Sequence, residues 1–78
     1  MNLKQVQQKA AELNKLAAEA DALQKRYVAH LMLYDAACMA GQSAEIDQRR
    51  DECHTLLDNI LDNALAVHTR TRELQDIT

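Results

Sequence analysis

Apolar residues recur along the first half of the chain in steps of three and four: Leu3, Val6, Ala10, Leu13, Leu16, Ala17, Ala20, Leu23, Tyr27, Leu31, Tyr34 and Cys38. At about 100° per residue these steps stay on one side of a helix, which predicts an α-helix from about Leu3 to about Met39. The second half carries a cleaner repeat. Ile46, Cys53, Ile60, Val67 and Leu74 lie seven apart, with Leu56, Leu57, Ala64 and Ile77 beside them. That is a coiled-coil stripe, and it predicts a second helix over about 44–76.

The pattern is interrupted once, at Ala40-Gly41-Gln42-Ser43, which holds the only glycine of a chain without proline. Gly41 suits the left-handed conformation that closes a helix, and Ser43 is the expected N-cap of the next. Glu45 and Asp47 follow where the helix dipole favours carboxylates. The expected fold is therefore all-α: one domain spanning residues 1–78, a long antiparallel two-helix hairpin of coiled-coil type, with its turn at 40–43.

Antiparallel helices of equal rise joined there bring together residues whose numbers sum to about 84. On that register Tyr27 meets Leu57, Leu23 meets Ile60 and Leu61, Leu16 meets Val67, Ala10 meets Leu74 and Val6 meets Ile77. The seam is accordingly expected at Leu16, Leu23, Tyr27, Leu57, Ile60 and Val67. The same register sets Cys38 and Cys53 about 10 Å apart along the axis, too far for an intrachain disulfide, and both are expected as small core residues. It also sets Asp35 level with Arg49 and Tyr34 level with Arg50, as ion-pair or cation–π partners.

Composition sharpens the class. Of the 78 residues 47% are hydrophobic, yet the aromatics are two tyrosines, so the apolar surface is alanine and leucine, as in helical bundles. Two cysteines, and no apolar leader core at Met1-Asn2-Leu3-Lys4-Gln5, fit free thiols and a cytoplasmic location. The most apolar window, Tyr27 to Ala40, is shorter than the roughly 20 residues of a membrane span and includes His30 and Asp35. No membrane partner is expected.

Nine Lys and Arg against twelve Asp and Glu give a net charge of −3, which offers no general attraction to a phosphate backbone. Lys4, Lys9, Lys15, Arg70 and Arg72 gather at the open end, but Glu12, Glu73 and Asp76 are interleaved with them. Nucleic acid is therefore a secondary reading. His30, Cys53 and His54, flanked by Asp51 and Asp58, come near one another without a metal-ligand spacing, so no metal or cofactor is expected. A two-helix rod has no concavity for a small-molecule substrate, and the chain is not expected to be an enzyme. Charged pairs at helical spacing, Asp21 with Lys25, Glu45 with Arg49 and Arg72 with Asp76, belong to a solvated face.

What the hairpin leaves over carries the functional expectation. Ala11, Ala18, Ala22, Ala29 and Ala36 line the side of helix one away from the seam, either as an interface or simply as helix-forming surface. Val28, Met32, Leu33, Met39, Leu61 and Leu65 lie off the seam and are the expected protein interface. A core two helices wide rarely outweighs the ordering entropy of so many residues, so something should cover them. Either a second copy completes a four-helix bundle or a larger protein target supplies the missing helices. The expected function is a small interaction module, an adaptor, inhibitor or chaperone-like regulator. The alternatives are a nucleic-acid-binding regulator using the basic open end of a dimer, and a self-assembling scaffold protein.

Overall fold

Asn2 opens the first helix: its backbone is extended and its Oδ1 accepts the Lys4 N–H at 2.9 Å, satisfying one of the free amides of the first turn. From there α1 runs without interruption over Leu3–Ala40, because no glycine or proline intervenes before Gly41. Gly41 ends it at φ 70°, ψ 24°, and its N–H reaches the carbonyl oxygens of Ala37 and Cys38 at 3.0 and 3.2 Å. A Cβ added at Gly41 would meet no neighbour within 4 Å, so glycine is wanted there for the left-handed backbone and not for space.

The second helix, α2, spans Ser43–Ile77. Its N-cap is Gln42, one residue before the expected Ser43, and the Gln42 carbonyl accepts the first intrahelical bond from Ile46 at 2.9 Å. No side-chain hydrogen bond caps this end. With Gly41 left-handed and Gln42 extended, the chain has already reversed, and Ser43 enters as the first helical residue. Glu45 is the acidic residue of the first turn.

This computed structural model describes residues 2–78, and within them the two helices form a straight antiparallel hairpin measuring 59 × 14 × 11 Å. The register is fixed by contacts between the helices. Lys9 meets Glu73, Arg70 meets Glu12, and His30 meets Glu52, each pair centred on Gly41. The pivot is thus Gly41 itself, about one residue earlier than a sum of 84 sets it.

That small change moves the seam. The residues turned inward form an unbroken alternation of threes and fours on both helices: Val6, Lys9, Leu13, Leu16, Ala20, Leu23, Tyr27, His30, Tyr34 and Ala37 on α1, and Ile46, Arg49, Cys53, Leu56, Ile60, Asn63, Val67, Arg70, Leu74 and Ile77 on α2. These are the core positions of a heptad repeat. On this register Leu23 falls within one residue of level with Ile60, Leu16 with Val67 and Tyr27 with Leu56. Leu56 is buried at 4% exposure while Leu57 is 37% exposed. For the same reason Ala37 takes the inward place given to Cys38, which is exposed, and His30 that of Leu31. Leu3, Ala17 and Ala64 also lie outside the seam.

The core is thin. Ala37, Cys53 and Leu56 are its buried residues, and the other inward side chains are half-buried. A polar residue inside the seam fixes one level: Asn63 donates from Nδ2 to the Leu16 carbonyl oxygen of the facing helix at 3.1 Å. A polar group at a core heptad position costs stability and specifies register, and this bond does so here.

Candidate protein-interaction face

On either side of a heptad seam lies a flank, the residue just before the first core position and the residue just after the second. In this hairpin the two flanks differ in kind. One combines Gln5, Glu12, Glu19, Arg26 and Leu33 of α1 with Glu45, Glu52, Asn59, Ala66 and Glu73 of α2. The other combines Ala10, Ala17, Gln24, Leu31 and Cys38 with Arg50, Leu57, Ala64 and Thr71, so that Arg50 is its one formal charge.

The polar flank is bridged near both ends by its own side chains, while between them a shallow groove lined by Glu19, Leu23, Arg26 and Asn59 stays open. Glu73 receives Lys9 at 2.7 Å and Arg70 at 3.1 Å, while Glu12 lies 3.4 Å from Arg70 and 3.7 Å from Lys9. Toward the turn, Glu52 accepts Arg49 at 3.1 Å and faces His30 across the seam at 3.8 Å. Hydrogen bonds from Lys9 and then Arg70 hold the Glu73 carboxyl below its ordinary range, and Arg49 does the same for Glu52. Lys9 is correspondingly raised by its bond to Glu73.

These shifts give a pH dependence. A carboxylate whose folded pKa is depressed contributes stability above its unfolded value of 4.5 and loses it as pH falls through the folded value. Melting temperature should therefore fall as pH drops below about 4.5, less steeply in Glu73→Gln than in the parent. Thermal melts between neutral pH and about pH 3 at low salt check this, since salt screens exposed pairs. Equal slopes in parent and variant would exclude Glu73 as the group responsible.

Among the described residues the second flank has no such bridge. Tyr27, Leu31, Tyr34, Cys53 and Leu57 line a shallow apolar groove along it, with Arg50 and His54 at the rim. Arg50 is occupied by Asp47 at 2.8 Å, and the expected Asp35–Arg49 pairing gives way to Arg49 with Glu45 and Glu52 of its own helix. Tyr34 has its phenol pushed above its ordinary 10.0, first by its hydrogen bond with Cys38.

All the residues expected at an interface are exposed, from Leu33 at 43% to Met39 at 83%, but they do not share one surface. Leu61 borders the apolar groove next to Leu57. Val28 holds the equivalent place on α1, beside Gln24, whereas Met32 and Met39 run along the back of α1, Leu65 along the back of α2, and Leu33 sits on the polar flank. The alanine stripe Ala11, Ala18, Ala22, Ala29 and Ala36 is exposed as well. Leu31 and Leu57, assigned to the seam by their apolarity, belong to the open groove. The signal that finds them is the heptad phase: each follows the second core position of its heptad, His30 or Leu56, by one residue.

Compared with known proteins, the chain matches no family model, no curated protein and no solved structure. A functional reading therefore rests on the faces just described. Cys38 and Cys53 are free, Cys38 exposed and Cys53 buried. Among the described residues no group of three or more His, Cys, Asp and Glu side chains is placed to hold a metal ion, and no helix is long and apolar enough to cross a membrane. His30 has Nδ1 at 3.1 Å from the Arg26 carbonyl oxygen and Nε2 toward Glu52, while Cys53 faces the groove.

Proposed function

We propose that the hairpin is a small protein–protein interaction module that works by presenting an apolar helix face, as an adaptor, inhibitor or chaperone-like regulator in the cytoplasm, without chemistry of its own. The observation that supports this reading is the asymmetry of its flanks. A pair of helices meant to stand alone needs apolar residues at the two core heptad positions only; a third apolar position on one flank is the pattern of a helix within a larger bundle. Here that third position is filled by Ala10, Ala17, Leu31, Cys38, Leu57 and Ala64, and it leaves Leu57 and Leu31 in water. Completion of a four-helix bundle is the simplest way to cover them.

Binding of nucleic acid at the open end is less well supported, because Lys9 and Arg70 are engaged by Glu12 and Glu73. Light scattering coupled to size exclusion tests the reading. The purified chain should migrate as an assembly of at least two 8.8 kDa chains at about 0.1 mM. A folded, highly helical monomer at that concentration would overturn the claim that this face requires a protein cover.

A further inference from the structure

We infer that the occupant of the apolar flank is a second copy of this chain, laid face to face with its turn at the opposite end. The inference rests on the reading above and adds the identity and direction of the partner.

Area argues for a partner of this size. A compact monomer of 8.8 kDa exposes about 4,800 Å² by the usual scaling, whereas the hairpin exposes 5779 Å². The excess, about 1,000 Å², is close to the roughly 800 Å² that each partner of a standard stable interface buries. A second hairpin of the same length and width supplies a matching surface without any further chain.

Direction follows from the order of side-chain sizes along that flank. Toward the open end it carries Ala10, Ala17, Ala64 and Thr71; toward the turn it carries Leu31, Leu57 and Arg50, with Tyr27 and Tyr34 reaching into the groove. Two copies with their turns together would set large residues against large at one end and alanine against alanine at the other. The helices would then splay at the turn and leave voids at the open end, which close packing does not tolerate. With turns at opposite ends, the Tyr27–Tyr34 half of each copy lies over the Ala10–Ala17 half of the other. Large then meets small over the greater part of both halves, and interhelical spacing stays more even. Leu61, near the middle of the hairpin, then comes close to its own counterpart across the two-fold axis.

Spin labels on the turn read this directly. In a Cys38→Ser, Cys53→Ala background, Gln42→Cys labelled and measured by double electron–electron resonance should give a distance close to the 59 Å length of the hairpin. A dimer whose turn labels lie within about 20 Å would overturn the proposed direction while leaving the interaction reading in place. A folded monomer would overturn both, and growth beyond two copies would overturn the two-copy assignment. Should the labelled background lose helicity, the orientation is read in the protein with Cys53 retained. There, a mixture of Gln42→Cys and Asn2→Cys chains, both Cys38→Ser, should be joined by a short bismaleimide, and Gln42→Cys alone should not. Cross-linking of Gln42→Cys to itself would refute the arrangement.

Discussion

Leu56→Ala should destabilise the hairpin by about 3 kcal/mol, the middle of the range for truncating a buried leucine. Leu56 is 4% exposed, within one residue of level with Tyr27, and one of the few fully inward residues of a core two helices wide. A thin core cannot redistribute such a loss: neighbours such as Ile60 and Tyr27 are already half in solvent, and the cavity opens to water instead of closing. Urea denaturation followed by circular dichroism at fixed protein concentration gives the number, since association contributes to apparent stability. Leu65→Ala is the control. Leu65 is 66% exposed on the back of α2, and its truncation should stay within about 0.5 kcal/mol. Equal losses at the two positions would mean that the seam does not run through Leu56.

This pair of leucines also marks what was legible in the chain and what was not. The helices and the turn could be read because a single glycine in a proline-free sequence has one structural use, and Gly41 adopts the left-handed backbone expected of it. The inward turn of Leu16, Leu23, Ile60 and Val67 could be read because the core heptad positions there are apolar. Elsewhere His30, Arg49, Asn63 and Arg70 occupy core positions, and their polarity hides the repeat. Apolar neighbours one residue along, Leu31 and Leu57, then look like the seam. A shift of one residue is about 100° of helix, enough to move a side chain from the core to a flank.

The candidate interface was obscured by the same cause. Exposed apolar residues can be found by elimination once a seam is drawn, but assigning them to faces requires the heptad phase. Leu33 and Leu31 are separated by about 200° and lie on opposite flanks. What distinguishes those flanks is a property of both helices at once: Glu12 with Glu73, and Glu52 near the turn, bind cations across or along the seam on one side, while nothing comparable forms around Leu31 and Leu57. Ion pairs span the seam on the polar flank, and among the described residues none spans it on the apolar flank.

That contrast sets the second large effect. The double substitution Leu31→Glu with Leu57→Glu should weaken self-association at least about 100-fold, because each copy would carry two carboxylates into a face that offers Arg50 as its only cation. Both side chains are more than a third exposed in the single hairpin, at 39% and 37%, so the helices themselves should keep their circular dichroism signal at concentrations where the dimer has dissociated. Leu33→Glu with Leu65→Glu adds the same charge at positions on the polar flank and on the back of α2, and it should change the dissociation constant by no more than about threefold. Sedimentation equilibrium on the three proteins separates the cases. Dissociation by the Leu33 and Leu65 pair, with the Leu31 and Leu57 pair still associated, would place the contact on the opposite side of the hairpin. Dissociation by both pairs alike would point to net charge as the cause, since each variant carries the same added charge. Only a loss confined to Leu31 and Leu57 assigns the contact to the apolar groove, where Leu31 and Leu57 are exposed beside the two tyrosines on the side of the seam that no ion pair spans among the described residues.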